Sequence, residues 1–258
     1  MKIEVLFPEI CNLYGDLANV RYLKESVPNA ELVMTSLKSV PAFSNPENKI
    51  DLIYMGTTTE AGIELSVKAL TPYVDVLKKL IDDGQFILLT GNALDIFGKY
   101  ISVVDGIKGE SSRIEGLGIL KTHSEYHMMN RHNSFYIGGF NSDGKEGIKV
   151  VGFKSIFGHT YAEETDEDLT NTSYAQQGWF NTIKGYGRNE DTKEEGFKVN
   201  NLYATYLTGP ILPLNPMLTD WLIEALGGEG KAAYFEAAMA AYEARLKDFS
   251  NEHFKAAY

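Results

Sequence analysis

Only one cysteine, Cys11, occurs in the 258 residues. That excludes an internal disulfide and any zinc site built from several cysteines. Long apolar runs are missing too, and nothing approaches the roughly 18 residues that a membrane-spanning helix needs, so no membrane association is expected. The opening Met-Lys-Ile-Glu-Val-Leu-Phe-Pro alternates like a strand and lacks the apolar segment and cleavage site of a signal peptide. A cytoplasmic protein is the expectation. Positive charge is scarce: 24 Lys and Arg stand against 35 Asp and Glu, a net charge of −11. No basic cluster could replace the counterions of a phosphate backbone, so no nucleic-acid partner is expected. No metal and no cofactor are expected either.

What is present is ordinary for a folded domain: 44% hydrophobic and 23% charged residues, in a chain long enough to bury a substantial core. Strands are expected at Lys2 to Leu6, Ala30 to Thr35 and Asp51 to Met55, and helices at Leu17 to Ser26 and Ser66 to Asp82. In the second helix Val67, Leu70, Val74, Leu77 and Ile81 share one face, and Gly84 supplies a stop. This alternation predicts an α/β fold, an open and mainly parallel sheet with helices on both faces. Ligands in such sheets sit beyond the carboxyl ends of the strands, where Gly56 and Gly91 both fall.

From Gly106 to Lys184 the pattern changes. Short runs at Gly118 to Thr122, Ser134 to Gly139 and Ile148 to Phe153 alternate with Gly, Asn and Asp turns, which predicts antiparallel additions to the sheet. The polar segment from Ala162 to Gly178 reads as a long exposed loop. A last strand is expected from Leu202 to Leu207, then helices from Leu218 to Leu226 and from Lys231 to Phe249. The glycines at 227, 228 and 230 mark off a C-terminal helical extension, 227–258, from the main domain, 1–226.

The most informative stretch is Gln85 to Tyr100. Four apolar residues, Phe86 to Leu89, read as a buried strand, Thr90-Gly91-Asn92 as a sharp turn, and Leu94 to Tyr100 as the start of a helix. In α/β enzymes that geometry presents a Cys or Ser nucleophile beside backbone N–H groups. Here the apex is Gly91.

Asn12-Leu13-Tyr14-Gly15-Asp16 with Asn19-Val20 resembles the N-terminal signature of the cobyric acid synthase-like glutamine amidotransferases, and within them the GatD-like subunits of lipid II isoglutaminyl synthase. Four further segments agree in order. They are Glu115 to Leu120; Val151-Gly152-Phe153 with Gly158 and Thr160-Tyr161; Gly185-Tyr186-Gly187 with Asn189 and Glu195-Gly196; and Thr205-Tyr206-Leu207 with Gly209 to Pro213. The resemblance covers roughly residues 1 to 226. It implies a class I glutaminase fold with a flavodoxin-like core. It also implies a Cys nucleophile, a His base and a Mur ligase-like partner (MurT-type) that receives ammonia from glutamine to amidate lipid II.

The positions that matter most depart from that pattern. The family reads approximately Ile-Cys-Gly-Gly-Tyr-Gln at the turn, so its nucleophile aligns with Gly91, and Asn92 and Ala93 replace the next two glycines. Its base lies in Thr-Tyr-x-His-Gly-Pro, which puts Thr208 at the base position. Its glycine-rich turn after the third strand is here Gly56-Thr57-Thr58-Thr59. Glycine adopts the positive φ of such a turn without a Cβ clash, so Gly91 keeps the shape once the thiol is not needed. Arg131 aligns, through a one-residue insertion, with an arginine that the GatD-like enzymes use to bind glutamine. Gly56, Asn92 and Arg131 are therefore the candidate substrate-binding positions, and glutamine or a related amino acid the candidate ligand.

Other chemistry is less well supported by the residues. Cys11 lies off the turn and reads as a small buried apolar residue. Thr90 would need a base. Ser155 and His159 read as surface polar residues, and His123, His127 and His132 as solvated loop histidines, since their segment lacks a helical apolar pattern. Three functions stay open: a non-hydrolysing binding or regulatory subunit, an amidotransferase active through other residues, and an amino-acid-sensing module that reuses the pocket.

Overall fold

The structure, a computed structural model, describes residues 1–106, 109–140, 147–162 and 177–254. Most of the loop expected between Ala162 and Gly178 lies outside the described residues. The first half of the chain alternates as β1 (Lys2–Leu6), α1 (Ala18–Ser26), β2 (Glu31–Thr35), β3 (Leu52–Met55), α2 (Glu60–Leu70), α3 (Val74–Asp82), β4 (Phe86–Thr90) and α4 (Ala93–Phe97). Strands β5 (Tyr100–Asp105), β6 (Ser112–Glu115), β7 (Thr122–His127), β8 (His132–Phe140), β9 (Lys149–Ile156) and β10 (Gly158–Ala162) follow. The chain closes with β11 (Phe180–Lys184), β12 (Glu194–Glu195), β13 (Phe197–Val199), β14 (Leu202–Thr205), α5 (Ile211–Leu214), α6 (Pro216–Ala225) and α7 (Phe235–Ser250).

The main sheet runs β13-β14-β4-β3-β1-β2, parallel throughout except for the β13–β14 pair at one edge. Without that edge strand the order is the flavodoxin-like one, whose direction reverses between β1 and β3. Each central strand is buried on both sides, and alternate residues feed two different cores. Ile53, Met55, Ile87 and Leu89 join Ile63, Leu77 and Ile81 of the helices on one face. Leu52, Tyr54 and Leu88 join Val20, Leu23, Leu218 and Trp221 on the other.

Two four-stranded sheets, β10-β7-β5-β6 and β12-β11-β8-β9, supply the expected antiparallel additions, although β5 and β7 pair in parallel. Helix α7 packs on β8 and β9 through Tyr242, which is buried with Ile137 and Val151.

Three expected elements differ. The helix expected from Ser66 starts at Glu60, where the Thr59 hydroxyl accepts from Gly62 N at 3.1 Å, and Pro72 interrupts it with a 3₁₀ turn before α3. Helix α4 stops at Phe97, and Tyr100 already belongs to a strand. Gly118 to Lys121 is an irregular approach to β7, which starts only at Thr122. Its glycine, Gly118, sits at φ +62, outside the extended range.

Candidate functional site

The carboxyl ends of β1, β3 and β4 open onto a cavity of about 330 Å³ that includes the point where the strand order reverses, between β1 and β3. Gly91, Asn92, Arg131 and Thr208, far apart in sequence, all line it, together with Thr57, Thr58, Tyr126 and Tyr206. Gly56 does not. It lies behind the wall, packed so closely that a Cβ there would meet the Cys11 carbonyl oxygen at 2.7 Å. Leu13 and Tyr14 are exposed at the cavity's mouth.

Gly91 has φ +60, the conformation expected at the apex of such a turn. The space a side chain would need is already filled. A Cβ on Gly91 would fall 1.9 Å from the Thr57 hydroxyl oxygen and 2.8 Å from its Cβ. Thr57 cannot easily give way, because Asp16 holds it by two bonds. Thr57 Oγ1 donates to Asp16 Oδ2 at 2.5 Å, and Thr57 N donates to the same oxygen at 2.8 Å. Thr90 Oγ1 adds a third donor at 2.9 Å, and Tyr54 OH joins the group from below. Asp16 is fully buried, and burial pushes its carboxyl above the ordinary range against the pull of these donors.

The next layer of the cavity is tied off in the same way. The Asn92 side chain bridges the two turns: its Oδ1 accepts from Thr58 N at 2.9 Å, and its Nδ2 donates to Thr58 O at 2.8 Å. A backbone N–H that faces the turn and could have met a developing oxyanion is thereby already bonded. Thr208, expected from the resemblance at the position of the base, donates its hydroxyl to Phe153 O at 3.1 Å, and its own N–H donates there too at 2.8 Å. Arg131 lies over the Phe157 ring at 4.3 Å, with one long hydrogen bond of 3.5 Å to Ser155. That geometry leaves a planar guanidinium at the wall, able to hold a carboxylate.

Beneath the cavity floor, Asp95 of α4 is buried among hydroxyls. Ser124, Tyr126 and Tyr206 all donate to it, and Thr160 Oγ1 approaches at 3.3 Å. Desolvation raises its carboxyl above the usual range, with the hydroxyl donors opposing. Because the folded-state value exceeds the unfolded one, the stability Asp95 contributes is full below about pH 4, its unfolded value, and is lost as pH rises through the folded value. The stability difference between wild type and Asp95→Asn is therefore expected to shift towards the variant as pH rises above about 4, read by urea denaturation. A difference that moved towards the wild type over that range would show the opposite sign of shift.

The remaining candidates are placed differently from expectation. His123, His127 and Glu125 lie on strand β7, facing away from its buried residues, and are not loop histidines. The His123 ring stacks between Tyr100 and Tyr161 at 5.1 and 5.4 Å. His159 is buried, not a surface residue, and makes no hydrogen bond to Ser155. No group of three or more His, Cys, Asp or Glu among the described residues is arranged to hold a metal ion. Cys11 is buried, 3.8 Å from Ser66 Oγ, and burial pushes its thiol up to about 11, so it is neither exposed nor ionised. Asp16 and Asp95 escaped the sequence reading, Asp16 being signalled only as the last residue of the N-terminal signature. Thr57 was visible as part of the threonine turn that replaces the family's glycines.

Residues 2–216 match the CobB/CobQ-like glutamine amidotransferase domain. Among characterised proteins, the chain is 28% identical over 217 residues to the Staphylococcus aureus (strain N315) lipid II isoglutaminyl synthase (glutamine-hydrolyzing) subunit GatD. That alignment covers 83% of this chain and 79% of the relative. The Streptococcus pneumoniae (strain ATCC BAA-255 / R6) subunit of the same name is 24% identical over 229 residues, 86% of this chain and 79% of the relative. Among solved structures, PurLQS from Thermotoga maritima aligns with TM-score 0.53 and 13% identity over 95% of this chain and 98% of that one. A further glutamine amidotransferase crystal structure aligns with TM-score 0.52 and 14% identity over 87% and 98%. At these identities the structural likenesses carry the fold alone.

Proposed function

The chain belongs to the CobB/CobQ-like glutamine amidotransferase family, and within it we propose that it is a non-hydrolysing member, a binding or regulatory subunit that works beside a Mur ligase-like synthetase in amidating a cell-wall precursor. The pathway part of this reading is supported by the two GatD relatives, whose names describe a lipid II isoglutaminyl synthase subunit. The loss of hydrolysis is supported by one observation above all. The Thr57 hydroxyl, held by buried Asp16, stands in the space that a nucleophile on Gly91 would occupy. Amide hydrolysis by this family's chemistry needs a thiolate, a proton donor for the departing ammonia and N–H groups for the oxyanion. Here the first is glycine, the second a threonine bonded to a backbone carbonyl, and of the third one N–H, that of Thr58, is already bonded to Asn92.

Arg131 and the cavity remain suited to an amino acid, with the guanidinium on its carboxylate. Binding without turnover is the resulting activity. In a coupled assay for ammonia, with and without a co-expressed Mur ligase-like subunit, glutamine is expected to give no release above background. Glutamine should nonetheless raise the melting temperature, and Arg131→Met should remove that rise. Ammonia release at a rate proportional to enzyme concentration would refute the reading.

Thr57 itself invites a second reading, because a hydroxyl 2.5 Å from a carboxylate resembles an activated nucleophile. Its near-complete burial and the occupied Thr58 N–H argue against it. The same assay separates the two readings, since release that vanishes in Thr57→Val would support a threonine nucleophile.

A further inference from the structure

Arg131 also borders a second cavity, of about 580 Å³, whose walls do not include Gly91. Arg131 is shared by the walls of both. The other lining residues include His127, His132, His159, Asn130 and Tyr161, with Glu190 as the acidic member. His159 is only 6% exposed, yet neither of its ring nitrogens has a hydrogen-bond partner. Buried polar groups are normally paired, and an imidazole with both nitrogens idle beside a cavity is an exception that a ligand would resolve. The His132 ring lies next to it, with centroids 4.5 Å apart.

We propose that this cavity is a second ligand site, which takes an oxyanion of the phosphate class between His159, His132 and Arg131. The donor set decides the chemistry. Imidazole N–H groups, a guanidinium, the Asn130 amide and the Tyr161 hydroxyl surround the cavity from several strands, and a tetrahedral anion with many acceptor lone pairs uses such a set more fully than a planar carboxylate. A metal ion is the obvious rival for three histidines, but these rings do not converge as a metal's ligands do.

Among the described residues, the acidic groups around the cavity are Asp105, Glu190 and, through Tyr161, Glu125 and Asp191; their repulsion is what the cationic and N–H donors have to outweigh. Asp105 Oδ1 is 3.4 Å from His127 Nδ1 and is neutralised by it when that ring is charged. Glu190 favours the charged form of His159, while burial and the neighbouring His132, Lys154 and His127 disfavour it. An arriving anion favours the charged form of His159, so binding draws a proton onto that ring and strengthens as pH falls.

The test is titration of the full chain with inorganic phosphate at constant ionic strength, near the ordinary histidine pKa of about 6.5, followed by NMR of the histidine ring nitrogens. The expected result is a saturable shift of the His159 and His132 signals, at least tenfold weaker in Arg131→Met and absent for the His132 signal in His159→Gln. Acetate should compete at least tenfold less well than phosphate. The titration needs neither glutamine nor a partner, so its failure would leave the non-hydrolysing reading untouched. The proposal is overturned by an unsaturable response, by an unchanged one in His159→Gln, by equal competition from acetate, or by saturable binding of zinc chloride alone where phosphate has no effect.

Discussion

Gly91→Cys combined with Thr208→His is expected to yield no glutaminase activity, although it puts a cysteine and a histidine where the family pattern aligns its catalytic pair. The reason lies in Thr57. A new Cβ would fall 1.9 Å from its hydroxyl, and Asp16 Oδ2 fastens that hydroxyl and the Thr57 N–H together. The φ of +60 at Gly91 adds backbone strain for any residue with a side chain. Overpacking and strain together are expected to lower stability by about 2–5 kcal/mol, read as a fall in urea midpoint for Gly91→Cys alone. Adding Thr57→Gly should recover part of that loss by removing the clash while leaving the strain. Should Gly91→Cys prove as stable as wild type, the Thr57 side chain is not the fixed obstacle described above.

The second large effect concerns a residue buried behind the cavity's lining. Lys154 of β9 is fully buried, with Nζ donating to Gly187 O at 2.8 Å and standing 3.3 Å from Glu195 Oε1. Glu195 in turn accepts from Thr205 Oγ1 at 2.7 Å and Tyr206 N at 2.9 Å, so the pair joins β9 to the strand end that carries Thr208. Burial pulls the lysine below its ordinary value, and the glutamate opposes that. Lys154→Met leaves a carboxylate buried without its counter-ion and is expected to cost about 3–5 kcal/mol. Replacing both partners, Lys154→Met with Glu195→Leu, should recover most of it, because an apolar pair of similar volume has no charge to desolvate. A double-mutant cycle checks this: the two losses should be strongly non-additive. Simple additivity would mean that the pair does not act as a unit.

The parallel core was readable because its strands are continuous apolar runs, such as Phe86 to Leu89, and its helices carry an apolar stripe, such as Val74, Leu77 and Ile81. Strand β5 was not, because Tyr100 follows a helical signal that Gly98 ends early. Strand β7 carries three ionisable residues on its outer face and so looks like a loop in one dimension. At the cavity, Gly91, Asn92, Arg131 and Thr208 were visible through the resemblance, since aligned motifs mark positions. What those residues touch was not visible. The Asn92 clamp reaches across 34 residues to Thr58, and Asp95 meets Tyr206 across 111. Such contacts are products of the fold, and no local pattern announces them.

The Thr57–Gly91 contact also has a bearing on the history of this chain. A lineage that lost its thiol by a single substitution could regain it by a single reversal. With Thr57 in the space beside Gly91 and bonded to Asp16, such a reversal would meet a steric conflict. The gain of a cysteine now depends on a prior change at Thr57, and useful chemistry depends on Thr208 and Asn92 as well. Each step alone is neutral or harmful, a form of epistasis that works as a ratchet and would keep such a sequence in a non-hydrolysing role long after the original loss.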